Sequence, residues 1–242
     1  MVQAALDSFC DELARRVPGS LETILTGHRR GVGRSNLKQD PEQFVSQYFI
    51  WPVCNAVGYE YITEWYHEGH GGSVDLLIRN TTEPVLCEVK RLNDYRQAID
   101  ELRDYLSHRT TQTEFGIVTD GITWMLMREP GDSRKNPEII EFHSFRGAIF
   151  ERLVTTGDVQ PQLEGEPVRW RSSVGKEAKA PYEKYGQLRR VPVTESAEEF
   201  RRKFATENVS AALDAGFFDK TLTEYGNRSS DNHPNTTLDG FD

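Results

Sequence analysis

Cysteine is scarce in this 242-residue chain, with only Cys10, Cys54 and Cys87. They are widely spaced, odd in number and each set in apolar sequence, which excludes a disulfide framework and gives no zinc-ligand spacing. All three read as reduced core residues. Long apolar runs are missing too: none approaches the roughly 20 residues of a membrane span. The opening MVQAALDSFCDELARR lacks the basic start and long apolar stretch of a secretory signal. A cytoplasmic location and no membrane partner are therefore expected. Basic charge is in deficit, with 29 Lys and Arg against 38 Asp and Glu for a net charge of −9. Nucleic acid would have to bind through a local basic face, not the whole surface. The phosphate-binding loop of nucleotide enzymes is incomplete. In SSVGKEA, Gly175-Lys176 is followed by Glu177, where Ser or Thr would bind Mg²⁺. No nucleotide cofactor is expected.

What is present is a mixed pattern of helical and strand periods. Leu6, Phe9, Leu13 and Val17 recur at helical spacing over residues 2–17, with Pro18-Gly19 following. DPEQFVSQYFIW is a helix start, with Asp40 at the N-cap, Pro41 at the first helical position and Gln43 on the return leg of a capping box. Pro52 opens a second short apolar segment, which Gly58 is placed to end. YITEWY, VDLLI and PVLCEVK then alternate as strands. DYRQAIDELRDYLSH returns to helical spacing through Tyr95, Ala98, Leu102 and Tyr105. FGIVTDGITWMLM is a hairpin whose Asp120-Gly121 is a type I′ turn signal, and EIIEFHSF is a further strand. This order is a mixed α/β domain around a central sheet, and its consecutive early strands argue against a doubly wound nucleotide fold. Beyond it, VTESAEEFRRKFATENVSAALDAGFF is helical, with Phe200, Phe204 and Leu213 available for packing. The Asn/Ser/Pro-rich tail reads as disordered. The divisions are 1–38 (helix and basic connector), 39–150 (core), 151–225 (accessory region, partly helical) and 226–242 (tail).

Two strands carry charge where an apolar face is expected. Alternation puts Glu88 and Lys90 on one face of VLCEVK, with Leu86, and turns Val85, Cys87 and Val89 to the other. In VDLLI, Val74, Leu76 and Ile78 share a face and Asp75 takes the opposite one. A hairpin through RNTTEP brings Asp75 beside Glu88. Two carboxylates so placed repel unless a proton or a cation intervenes. A hard divalent cation, Mg²⁺ above all, would relieve the repulsion. Lys90 on the same face would orient water or offset charge on phosphate, and together these are the parts of a metal-assisted phosphodiester hydrolysis site. The alternative is an ordinary strand face on which Asp75 pairs with Arg79 or Arg91 as a solvated salt bridge. His67 and His70, in YHEGHGG, lie in a Gly-rich loop without further ligands and read as part of a flap.

Val74-Asp75, twelve residues, then Glu88-Val89-Lys90, between one helix and another, resembles the PD-(D/E)XK nuclease superfamily. The order is more narrowly similar to the N-terminal nuclease domain of type I restriction enzyme motor subunits. PEQFVSQYFIWPVCNAVGYE before the strands and GIVTDGITWML after them extend the likeness over residues 40–145. The resemblance implies a restriction endonuclease-like core: helix, three strands, helix and strand hairpin around a central mixed sheet, with helical N- and C-terminal additions. It implies an Mg²⁺-dependent DNA endonuclease, Mn²⁺ being able to replace Mg²⁺, without its own ATP motor. Asp75 and Glu88 would be metal ligands with the Val89 carbonyl a third. Lys90 would be the catalytic lysine and Glu42 the acid of the first helix. An acid there is also favoured by the helix dipole alone. Relatives often carry Gln four residues before the tyrosine of the second helix; here Glu101 precedes Tyr105 and Gln97 lies one turn earlier, a candidate for substrate positioning. The rival reading is a catalytically silent nucleic-acid-binding or assembly module on the same fold.

Two segments supply local positive charge. Residues 169–190 hold seven Lys and Arg against two Glu, with Trp170, Tyr182 and Tyr185 interleaved for stacking. Arg169, Arg171, Lys176, Lys179, Arg189 and Arg190 are its candidate phosphate contacts. The connector adds Arg29, Arg30 and Arg34. DNA is the expected partner, and double-strand cutting, which needs two sites, makes a homodimer a second expectation.

Overall fold

A computed structural model describes residues 1–25, 27, 32–67, 71–107, 113–129, 138–159 and 196–214. Helix α1 (Val2–Arg16) buries Leu6, Phe9, Cys10 and Leu13 on one stripe. A 3₁₀ turn (Pro18–Ser20), α2 (Leu21–Leu25) and α3 (Arg34–Leu37) follow. Asp40 then caps α4 (Pro41–Val45), its carboxylate accepting the Glu42 and Gln43 amides. Pro52 does not begin a separate segment. The helix runs through it, from α4 across a π turn (Ser46–Ile50) into α5 (Trp51–Ala56), with the Trp51 amide bonding to Ser46 O. Pro52 lacks an N–H, and a wider turn just before it accommodates the missing bond. At the far end Gly58 takes φ +87°. Tyr59 N donates to Cys54 O and Gly58 N to Asn55 O, the paired bonds of a Schellman cap.

Six strands form one sheet in sequence order: β1 (Tyr61–His67), β2 (Gly72–Ile78), β3 (Val85–Val89), β4 (Phe115–Thr119), β5 (Thr123–Arg128) and β6 (Glu138–Ser144). All neighbours are antiparallel except β3 and β4, which are parallel. That pairing requires a crossover, provided by α6 (Tyr95–Ser107). The architecture is thus mixed α/β with a six-stranded mixed sheet. Central β3 and β4 are buried at every position.

One sheet face carries Leu76, Ile78, Val85, Cys87, Val89, Ile117, Trp124 and Leu126 and packs against α1, α4, α5, α7 (Arg146–Thr155) and the C-terminal helices. The other carries Leu77, Leu86, Val118, Met125 and Met127 and is covered by Ala98, Ile99, Leu102 and Tyr105 of α6. The helix lies so close that a Cβ on Gly116 would come within 2.6 Å of Leu102 Cδ2. Residues 196–214 form two helices, α8 (Ala197–Phe204) and α9 (Thr206–Asp214), broken at Ala205. They enter the first core: Phe200 meets Trp124 edge-on at 5.0 Å, and Phe204 stacks on Phe200 at 4.8 Å. All three cysteines are free and buried. Among the described residues no helix is long and apolar enough to cross a membrane.

Two local expectations are corrected. Val74 does not share a face with Leu76 and Ile78; it lies with Leu77 and Leu86 on the α6 side. In β1, Glu64 sits at φ +50° and is skipped in the pairing between Thr63↔Leu76 and Trp65↔Val74, so alternation breaks at Asp75. The β4–β5 turn is not type I′, which needs positive φ at both central residues. Of Asp120 and Gly121 only Gly121 has it. Asp120 is instead buried, its carboxylate accepting Thr123 N at 2.7 Å and Asp94 N at 3.1 Å.

Candidate active site

Asp75, Glu88 and Lys90 meet where β2 parts from β3. The regular pairing of these strands ends at Leu76↔Cys87, one step short of Asp75 and Glu88. There the Asp75 carboxylate takes over, accepting the Val89 amide at 2.7 Å. A side chain thus stands in for a ladder partner, keeping the half-buried Asp75 beside Glu88. The solvated pairing of Asp75 with Arg91 does not occur: Arg91 Nε binds Asp94 at 3.0 Å. The strand ladder also extends past β3 on its other side, with Lys90 N donating to Thr119 O at 2.9 Å, so the lysine's main chain is fixed to β4.

Glu88 and Lys90 share the α6 side of β3, as alternation requires. The ammonium lies 2.8 Å from Glu88 Oε1 and 2.8 Å from Glu101 Oε2 on α6. Glu42, from the helix layer on the opposite face, reaches only to 3.9 Å, the outer limit of an ion pair. Three carboxyls, from Glu88, Glu101 and Glu42, therefore surround one ammonium. Glu88 and Lys90 are 3 % and 7 % exposed, and Glu88 Oε2 is buried without a hydrogen-bond donor among the described residues.

The electrostatics follow from this crowding. Burial, then the neighbouring Asp75 charge and a hydrogen bond with Glu101, push Glu88 up to about 9. Burial also raises Asp75, against the opposing pull of the Val89 amide and Lys90. Glu42 rises to about 7, again through burial, with Lys90 opposing. Burial would lower Lys90, but Glu88 and Glu101 outweigh it and hold the ammonium above its ordinary range. Glu101 goes the other way: burial would raise it, but its bonds to Glu88, Lys90 and Gln97 lower it. Within the cluster Glu88 is thus the carboxyl pushed furthest toward its protonated form, and Glu101 the one held in its charged form.

Gln97 reaches this cluster through Glu101, donating to its Oε1 at 2.8 Å. Tyr105, one turn further along α6, donates to Ser73 O at 2.8 Å and so holds β2 two residues before Asp75. Sequence reasoning did not place Glu101 among the site residues. The available signal was its spacing, four residues from both Gln97 and Tyr105 on one helical stripe. Arg34 is largely exposed and binds Asp40 at 3.1 Å, the cap of the helix bearing Glu42. Arg29, Arg30, Arg169, Arg171, Lys176, Lys179, Arg189, Arg190, His70 and the tail lie outside the described residues.

Among the described residues no three His, Cys, Asp or Glu side chains gather closely enough to cage a metal ion by themselves. A smaller donor set still fits one. Glu88 Oε2 is an orphaned buried oxygen, Asp75 crowds it, and Mg²⁺ commonly binds through one or two carboxylates with water and substrate oxygens completing its shell. Comparison with protein-family models, curated proteins and solved structures finds no match to this chain.

Proposed function

We propose that this chain is an Mg²⁺-dependent DNA endonuclease with a restriction endonuclease-like core, Mn²⁺ being able to replace Mg²⁺. One observation carries the reading. Asp75 and Glu88 converge where the β2–β3 ladder opens, with an unpartnered buried oxygen on Glu88 and Lys90 on the same face. A buried carboxylate oxygen with no donor takes up either a proton or a cation, and Mg²⁺ with its waters would meet the second need. Asp75, Glu88 and the Val89 carbonyl would hold the cation. When bound, it compensates their charge and polarises the scissile phosphate as a Lewis acid. Lys90 orients the attacking water and offsets charge developing on the phosphate oxygens, and Glu42 helps place that water. Attack on phosphorus breaks the bond to the 3′ oxygen, which leaves with a proton, so the product carries a 5′-phosphate. Arg34 and the basic residues of 27–38 and 169–190 would hold the DNA backbone.

The test is nicking of supercoiled plasmid with Mg²⁺, with and without EDTA. Lys90→Ala and Asp75→Ala should each lower the rate by roughly a hundredfold or more, the scale of losing one group that stabilises transition-state charge. A native protein that binds DNA but never cuts it with Mg²⁺ or Mn²⁺ would overturn the reading. One feature favours the silent binding module instead: Lys90 is engaged at 2.8 Å on both sides, as in a structural ion network.

A further inference from the structure

We infer that Glu101 is a positioning residue: it retains Lys90 when Glu88 gives up the lysine to hold a cation. The inference rests on the metal reading of Asp75 and Glu88 and goes beyond it by assigning a role on α6.

The geometry poses a conflict. Lys90 lies 2.8 Å from Glu88 Oε1, and a cation drawn to Glu88 would meet that ammonium as a like charge. The lysine must yield without leaving the site. Glu101 Oε2 stands at the same 2.8 Å distance, so Lys90 can shift its weight from one carboxylate to the other with little movement of its Nζ. Glu42, at 3.9 Å, is too distant to do this.

Glu101 is also braced for the task. Its other oxygen accepts from Gln97 Nε2 at 2.8 Å, which fixes the carboxylate plane from one helical turn away. The helix itself is pinned by Leu102 against Gly116 and by the Tyr105 hydroxyl on Ser73 O. One stripe of α6, Gln97–Glu101–Tyr105, thereby positions Lys90 directly and Asp75 through the main chain of β2. Where the cation would go is marked by Glu88 Oε2, buried and without a hydrogen-bond donor among the described residues, while Oε1 takes the ammonium.

The test is a double-mutant cycle read by Mn²⁺ binding, measured by electron paramagnetic resonance on the full chain without DNA. The variants are Glu101→Gln, Lys90→Met, the pair together, and Asp75→Asn, each checked for native melting. Without its second anchor Lys90 stays on Glu88 and competes with the ion. Glu101→Gln should therefore weaken Mn²⁺ binding about tenfold in the native background, a coupling of ordinary size for residues in contact. With Lys90 replaced by Met, the same change should cost less than about threefold, because no ammonium remains to hold. Equal losses in both backgrounds would make Glu101 a direct ligand and overturn the inference while leaving the metal site standing. Native-strength binding by Asp75→Asn, or no binding by the native protein, would overturn the metal reading and the inference together.

Discussion

The Asp75 carboxylate accepts the Val89 main-chain amide at 2.7 Å, doing with a side chain what the neighbouring residues of β2 do with their backbones. It is at once a structural bond and the reason a second acid stands beside Glu88. Asp75→Asn separates the two roles, since Asn keeps an oxygen for the Val89 amide but carries no charge. Without divalent ions the variant should be as stable as the native protein, or more stable by about 1 kcal/mol, because the cost of desolvating the Asp75 charge is removed and Glu88 can ionise closer to its ordinary range. At Mg²⁺ a hundredfold above its dissociation constant, the native protein should gain about 2.7 kcal/mol and the variant little. Thermal melts with and without Mg²⁺ give the comparison; a native protein indifferent to Mg²⁺ would contradict the proposed ligand role.

Glu88 makes the metal-free protein sensitive to base. Burial, Asp75 and the bond with Glu101 raise its carboxyl to about 9 from an ordinary 4.5. The folded state thus binds a proton that the unfolded state releases. For a raised group, stability is complete below about pH 4.5 and is lost as pH climbs toward 9. In EDTA the melting temperature should fall steadily from pH 5 to 9, and Glu88→Gln should flatten that fall. Saturating Mg²⁺ should also flatten it in the native protein, because the ion displaces the proton. A native profile in EDTA parallel to that of Glu88→Gln would show that Glu88 ionises normally.

The seat of α6 is tested at Gly116. A Cβ there would fall 2.6 Å from Leu102 Cδ2, 2.7 Å from Cδ1 and 2.9 Å from Cγ. Gly116→Ala should cost about 1–3 kcal/mol in urea unfolding, the range for overpacking a filled core. In a Leu102→Ala background, where the space is open, the same change should cost almost nothing. An undiminished cost in that background would place the strain elsewhere.

Much of this architecture was legible because local signals agreed with the final packing. The Asp40-Pro41 start, the Gly58 stop and the period-two runs of β2 to β5 are short-range features that tertiary contacts reinforce. Where the reading failed, a distant partner decided the outcome. Val74 changed face because the β1–β2 ladder is interrupted at Glu64, which takes φ +50° directly opposite Asp75 with the register unchanged on either side. The helix crossed Pro52 because a π turn absorbed the lost bond. Asp120 turned inward because the Thr123 and Asp94 amides needed an acceptor. At the site, alternation sufficed to put Glu88 and Lys90 on one face, since it depends on β3 alone. Helical spacing put Glu101 on one stripe with Gln97 and Tyr105, but that this stripe faces Lys90 depends on how α6 lies across the sheet.

His143 should give the fold an acid limit. It is 2 % exposed, its Nε2 has no hydrogen-bond partner among the described residues, and Phe145 and Phe200 meet its ring edge-on at 4.6 and 5.2 Å. Burial, aided by the Lys203 ammonium, holds the imidazole down to about 3 from an ordinary 6.5. Lys203 stays close because it donates to Phe142 O at 2.8 Å, so α8 brings both the aromatic wall and the repelling charge. Here the unfolded chain takes up a proton that the folded one refuses. Stability is therefore complete above about pH 6.5 and falls as pH drops toward 3, by up to about 1.4 kcal/mol per pH unit. His143→Phe keeps a ring against Phe200 and removes the titration. The gap between variant and native urea midpoints should shift in the variant's favour between pH 7 and 5. Parallel midpoints across that range would mean that the imidazole takes up a proton inside the fold, and that α8 yields to admit it.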